Sequence, residues 1–517
     1  MPKSPFSPWS PSFAETDASR LQAALAALRT EFALPVDFPA DALAELERSI
    51  AGYQLPERDL RSAYFVTIDP PTSLDLDQAM CLERLPESEV TLPEGPGAGY
   101  LVRYAIADVP AFVPPGGALD AQTRTRGQSM YLPDGRIPLH PAMLSEDAAS
   151  LLPQQERGGY IWEFRLDARA EVRSVTVYRA TLISRAKLGY HQAQAELDAA
   201  QPSDYLPTLE LLREIGQKRI VLERERGGAS LNAPQQEIEH DDGGYRLVFR
   251  PAEPLEDWNA QLSLMTGMAA ASMMLEAGVG ILRTMPPPDP SAIARFRHQA
   301  EALQAPWPAD QPYGEFLRTL DSRQPRHLAL LHAATSLFRG AGYTAFDGEP
   351  PAQRQQAAVA APYSHTTAPL RRLVDRFVLA VCAAHCAGEA IPGWARTALP
   401  QLPALMAASD QLAGRVDRAA VDLIEAAVLS DQVGQVFEAV IIARKEPNGS
   451  GVVRCTVQLL DPAVTAPLDV PLDPADPEAS PEPGPHTGPQ AGDPVRVRLL
   501  SADIARRSVT FALAEAT

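Results

Sequence analysis

Apolar positions along the chain change period twice, and the changes mark its parts. After a Pro/Ser-rich start, Met1 to Ser12, the residues Leu21, Leu25, Leu28 and Phe32 recur three or four apart behind Thr16 and Asp17, which predicts a capped helix. A second, shorter helix is predicted by Leu43, Leu46 and Ile50 behind Pro39 and Asp41. From Ala63 the pattern turns to strands, at Ala63–Ile68, Tyr100–Ala107, Tyr160–Leu166 and Val172–Ile183. Helical spacing returns, rich in Ala, Leu and Met, at Trp258–Ala277, His327–Arg339, Ala368–Ala387 and Leu402–Leu429. Beyond it come four short strand-like runs, Val433–Ala443, Gly451–Leu460, Asp493–Leu500 and Ser508–Leu513. A Pro/Asp/Gly-rich stretch over 461–492, read as a disordered loop, interrupts them.

Strands followed by helices without regular alternation predict an α+β protein. Residues 1–14 are expected to be disordered and 15–62 to form a small helical or winged-helix module. The range 63–429 reads as one large mixed domain, and 430–517 as a small β-barrel. A hydrophobic content of 45% with 21% charged residues excludes disorder throughout. No run of eighteen apolar residues occurs, and the amino terminus lacks a basic region followed by an apolar one, so neither export nor membrane insertion is expected. Cys81, Cys382, Cys386 and Cys455 make no disulfide framework and no paired zinc pattern, which fits a reducing, cytoplasmic setting. Cys382, His385 and Cys386 share one helical turn, but the helix is apolar and the sequence offers no further ligands, so they read as structural.

The formal charge of −19 and pI near 5.0 run against a nucleic-acid partner, because phosphate binding usually leaves a basic footprint. Local placement decides, however, and nearly all positive charge here is guanidinium, which grips phosphate in a fork. Arg124 with Arg126, and Arg371 with Arg372, form such local clusters.

The run Phe65 to Ala79 carries the candidate chemistry. Asp69 ends an apolar strand, and Asp75 and Asp77 project to one side if the chain between them is extended. Three converging carboxylates repel one another unless a cation is present, and hard oxygen donors without His or Cys point to magnesium, or manganese in its place. Taken alone, the same spacing also describes an acidic surface loop.

Further blocks follow in order: Tyr104–Val109, Gly127–Asp134 with Ile137-Pro138, Leu144-Ser145 through Ser150–Pro153, and Tyr363–Asp375. Together with the acidic run they resemble the ribonuclease II family from about Ala63 to Leu429, and the terminal barrel is similar to the OB-fold of ribosomal protein S-one. The resemblance implies a nuclease domain followed by an RNA-holding barrel. The implied activity is processive, hydrolytic 3′-to-5′ removal of nucleoside 5′-monophosphates from single-stranded RNA by a monomer. ATP is not expected, since no Walker-type loop is present.

Residue by residue, the resemblance makes Asp69, Asp75 and Asp77 metal-site carboxylates, with Gln78 where the family has a fourth aspartate. Tyr131 would pack on the terminal nucleotide, and Arg371 would hold phosphate beside the metal. Asp417, followed by Arg418, stands where the family has a Glu-Arg pair. His365 and Arg372 are further RNA contacts, joined on the barrel by Arg444 and Arg496. Gln78, and Ala368 in place of a serine, keep a second reading open: an RNA-binding adaptor that retains the fold with weak or no activity.

Overall fold

The computed structural model describes residues 15–86, 91–92, 95–96, 99–231, 235–241, 244–250, 253–445, 452–471 and 489–514. Its centre is a closed five-stranded barrel of β1 (Phe65–Ile68), β2 (Gln78–Leu85), β3 (Gly99–Ala107), β4 (Glu156–Asp167) and β5 (Val172–Leu188). Neighbours pair antiparallel, and the parallel pairing of β1 with β5, Ile68 opposite Leu188, closes the ring. Val66, Met80, Val102, Tyr104, Trp162 and Phe164 lie in one buried core. Each such side chain contributes roughly 1.5–3 kcal/mol relative to exposure.

Helices cover the barrel. Preceding it are α1 (Glu15–Glu31) and α2 (Ala40–Gly52); α3 (Ala118–Arg126) and α4 (Leu206–Glu225) follow within the large domain, then α5 (Pro254–Ala277), α6 (Leu373–Ala387) and α7 (Leu402–Leu429). Helix α5 begins with Pro254 behind a reciprocal Glu253–Glu256 capping box and stops at Gly278, whose φ of 69° suits a residue without Cβ. It is buried on most of its circumference, which explains its Ala- and Met-rich composition.

The second closed barrel comprises β6 (Val436–Arg444), β7 (Val452–Leu459), β8 (Thr465–Pro471), β9 (Pro494–Asp503) and β10 (Ser508–Leu513), in the order β6-β7-β8-β10-β9. It is not an independent bead: Leu423, Ile424 and Leu429 of α7 and Leu21 and Leu25 of α1 lie in the same core as Phe437, Val457 and Phe511.

The α+β class and both predicted amino-terminal helices are present. The winged-helix alternative is not: the described part of 15–62 holds two helices, no strand pair and one isolated bridge, Asp59 to Thr181. The predicted disordered loop is also shorter than 461–492, because Thr465–Pro471 is β8, paired with β7 along its length. Within that range 472–488 lies outside the described residues, as does 1–14.

Candidate active site

The carboxylates sit where the barrel opens. Asp69 follows the last residue of β1, its backbone N–H donating to Leu188 O at 3.0 Å, so the closing strand pair fixes its position. The chain then turns, with Lys187 Nζ donating to Pro71 O (2.6 Å) and Ser73 O (2.5 Å), before running into β2 through Asp75 and Asp77. Leu76, buried between them, anchors the run: its N–H donates to Ser150 Oγ at 3.0 Å and its carbonyl accepts from Leu151 N–H. Asp75 and Asp77 flank that anchor in the chain.

Asp77 is 4% exposed, and its Oδ1 accepts the Leu370 N–H at 2.7 Å while Arg371 Nε stands 3.5 Å from Oδ2. Burial holds its carboxyl well above the usual carboxylate range, against the pull of Arg371 and the Leu370 bond. Asp69 is pushed up to about 7, first by burial and then by the charge of Asp75. Asp75 pairs with Arg136 at 2.6 Å, and Arg136 also reaches Glu146 at 2.5 Å.

This donor set suits a hard divalent cation, which would relieve the burial and repulsion that Asp69 and Asp77 carry. It is not a closed cage: among the described residues no three His, Cys, Asp or Glu side chains are gathered around one point. Asp75 is turned onto Arg136, and Asp77 onto Leu370 and Arg371.

Gln78, which the resemblance places at the metal site, is hydrogen-bonded at both ends of its amide. Its Nε2 donates to Thr367 O at 2.7 Å and its Oε1 accepts from the buried Tyr104 hydroxyl, so both ends of the amide are engaged within the protein. It joins β2 to the 363–372 segment.

Tyr131 lies on a two-stranded hairpin, Met130–Leu132 with Gly135–Ile137. Met130 and Leu132 point inward and Tyr131 outward, 54% exposed. Desolvation, then the nearby Asp75 carboxylate, raises its phenol to about 12, so the ring is neutral and faces the acids. Arg371, with a side chain 47% exposed, completes this face.

Arg372, an RNA contact by the resemblance, is instead engaged inside the protein. Its fork closes on Asp375, at 2.7 and 2.8 Å, at the start of α6. His365 is likewise no cation: burial, then Arg372, Arg283 and Arg371, hold its imidazole well below the usual range, and Nδ1 lies 2.6 Å from the Tyr343 hydroxyl. Asp417 and Arg418 are exposed on α7, and among the described residues no hydrogen bond or ion pair joins Asp417 to Asp69, Asp75 or Asp77. On the barrel, Arg496 faces Glu438 at 3.5 Å, Arg454 pairs with Asp469 at 3.0 Å, and Arg444 has its Nε buried without a partner among the described residues.

Residues that sequence reasoning missed are Lys187, Arg136, Tyr104, Tyr190 and Asn259. Tyr190 lies near Asp69, whose charge helps burial raise its phenol to about 12, and its hydroxyl accepts from Asn259 Nδ2 at 3.3 Å. Only Tyr104 belongs to one of the resembling blocks, Tyr104–Val109; the others lie far from the acidic run in sequence. A groove of about 540 Å³ along α7, lined by Asp410, Gln411, Gly414, Arg415 and Arg418 among others, lies beside Arg283 and Gln128, which both donate to Asp410.

Residues 57–387 match the RNB domain, and 483–514 match the RNase II-type exonuclease C-terminal S1 domain. The chain is 27% identical over 432 residues to ribonuclease R of Escherichia coli, covering 77% of this chain and 51% of that protein. It thus spans about half the length of the curated relatives it matches first. Among solved structures, Mycoplasma genitalium RNase R in complex with ribose-methylated single-stranded RNA superposes with a TM-score of 0.79 at 18% identity, covering 96% of this chain and 78% of that one. Yeast Ssd1, described as a pseudonuclease, superposes with a TM-score of 0.59 at 14% identity, covering 84% of this chain and 51% of that one.

Proposed function

The chain belongs to the RNB domain family, and on that premise we propose that it shortens single-stranded RNA hydrolytically and processively from the 3′ end, releasing nucleoside 5′-monophosphates. The observation that carries the reading is the meeting of Asp77 with Leu370 and Arg371, 293 positions apart in sequence for the Asp77–Leu370 bond, beside Asp69, Asp75 and the outward ring of Tyr131. Asp69, Asp75 and Asp77 would hold magnesium or manganese, which when bound neutralises the carboxylates and activates water. Arg136 must then share Asp75 or release it.

The chain's own residues do the rest. Arg371, half exposed and held by Asp77, offers its remaining guanidinium N–H groups to a phosphate and to the charge that grows on it during displacement. Tyr131 stacks on the last base, a contact contributing on the order of 1–3 kcal/mol. The α7 groove, with Arg415 and Arg418, lies open for the upstream backbone. The barrel's contribution would be stacking and shape more than charge, since Arg454 and Arg496 face acids.

RNA labelled separately at each end, incubated with and without magnesium, tests this reading. A ladder shrinking only from the 3′ end, dependent on the metal and yielding 5′-monophosphates, is the expected result. Endonucleolytic cuts, or equal degradation of DNA, would refute it. The adaptor reading is favoured by the absence of a gathered three-ligand set among the described residues. It predicts tight RNA binding and an intact strand in the same assay.

Position 78 provides a second check. Gln78→Asp is expected to leave the magnesium midpoint within about twofold, because the side chain points to Tyr104 and Thr367, and to cost about 1–2 kcal/mol as Thr367 O loses its donor. A clear downward move of the midpoint would put position 78 among the cation's ligands.

A further inference from the structure

Helix α1 touches three parts of the molecule: the second barrel, α7 and the Tyr131 hairpin. Leu21 and Leu25 lie in the core shared by the second barrel and the end of α7. One turn on, Leu28 with Leu34 packs among Met130, Leu132 and Ile137 of the Tyr131 hairpin and Val416, Ala419 and Ala420 of α7. Two ion pairs fix the ends of this contact. Arg29 donates through both Nη atoms to Asp134, at 2.7 and 3.0 Å, and Arg507 of the β9–β10 turn holds Glu31 at 3.0 Å.

Asp134 occupies the tip of the hairpin, in the two-residue loop between Leu132 and Gly135. Gly135, at φ 150°, allows the return strand. A fork at the tip and two apolar plugs behind Tyr131 leave the hairpin little freedom to rock. Arg136, opposite Tyr131 in register, ties its other side to Asp75. Isolated surface ion pairs contribute little, but a two-pronged pair whose side chains are only 20% and 24% exposed is the geometry in which they count.

We infer that α1 is a strut for the nucleotide clamp, and that Arg29 and Asp134 are positioning residues: their fork sets where Tyr131 stands over the carboxylates, and so sets the length at which RNA is released. The segment ahead of the RNB domain would thereby tune the end product without touching RNA. This rests on the reading of Tyr131 as the clamp.

The test uses the full chain with Arg29→Asp, Asp134→Arg, the exchanged double variant carrying both, and Tyr131→Ala as reference. Two quantities are read: amide hydrogen exchange over 130–137, and the final fragment length from a 5′-labelled single strand. Each single variant should speed exchange in the hairpin at least about tenfold and lengthen the final fragment as Tyr131→Ala does, with initial turnover on long RNA within about threefold. The exchanged pair should restore both. If a single variant fails to fold, Arg29→Gln and Asp134→Asn replace it with smaller expected shifts in the same direction. Unchanged fragments in the Arg29 and Asp134 variants, while Tyr131→Ala lengthens them, would overturn the strut. Should wild-type protein not shorten RNA, the proposed function fails separately, and hairpin exchange alone decides: unchanged exchange overturns the strut, and acceleration reversed by the exchanged pair upholds it.

Discussion

Asp77→Asn should lower turnover by at least about two orders of magnitude while RNA stays bound. Asparagine has the volume of aspartate and keeps a carbonyl oxygen for the Leu370 N–H, now accepted at 2.7 Å, so the 363–372 segment retains its anchor. What disappears is the charge that faces Arg371 at 3.5 Å and that would help hold a cation. Arg371 then has one fewer internal anion and more to offer a phosphate, so affinity should hold or rise. Single-turnover cleavage of labelled RNA, together with equilibrium binding of the same strand, checks both halves. Near-normal turnover would remove Asp77 from the chemistry.

Asp120→Ala should cost about 3–5 kcal/mol of stability, the range for breaking a buried ion pair by deleting one partner. Asp120 joins α3 to α6: it accepts from the Gly116 N–H (2.9 Å), Arg124 Nε (3.1 Å) and Arg376 Nη2 (2.5 Å). Arg376 is itself only 2% exposed, and its Nε and Nη1 have no partner among the described residues, so removing the carboxylate strands a cation in the core. Burial would raise the Asp120 carboxyl, but Arg376 and the hydrogen bonds outweigh it and the net direction is down. The sign follows: this stabilisation is present above the ordinary aspartate range, near 3.9, and is lost as pH falls through the lower folded value. Denaturant unfolding should show a lower midpoint at unchanged slope, and the deficit should shrink in strong acid. A loss below about 1 kcal/mol would mean that the surroundings of Arg376 relax.

Much of this architecture could be read from side-chain periods, and the failures have physical causes. The core strands β3, β4 and β5 are long, alternating or largely apolar runs, and α7 carries its helical stripe along its whole length, Leu402–Leu429. Strand β8 was hidden because Pro467, Asp469 and Pro471 dominate its composition, although they alternate with buried Ala466, Leu468 and Val470. Proline is tolerated in a strand where its missing N–H would meet no ladder partner, and on its β10 side β8 pairs only at Leu468 with Phe511. The acids and Tyr131 could be singled out by their blocks, but their partners could not. Lys187, Arg136 and Asn259 reach the site through tertiary closure, and no local pattern announces them. For Arg372 the clue was local after all: Asp375, three residues on, is one helical turn away and captures the fork.

The closing pair of the first barrel has a consequence in time. Ile68 pairs with Leu188, and Asp77 waits for Leu370, 293 residues further along. At synthesis rates of roughly 5–20 residues per second, the acidic run leaves the ribosome on the order of 15–60 s before Arg371 can join it. Until then the carboxylates lack both their cationic neighbour and the segment that buries them. In a nascent chain of this design the acidic run therefore stays incomplete, and the site comes together only when the last third of the chain has folded back onto its first.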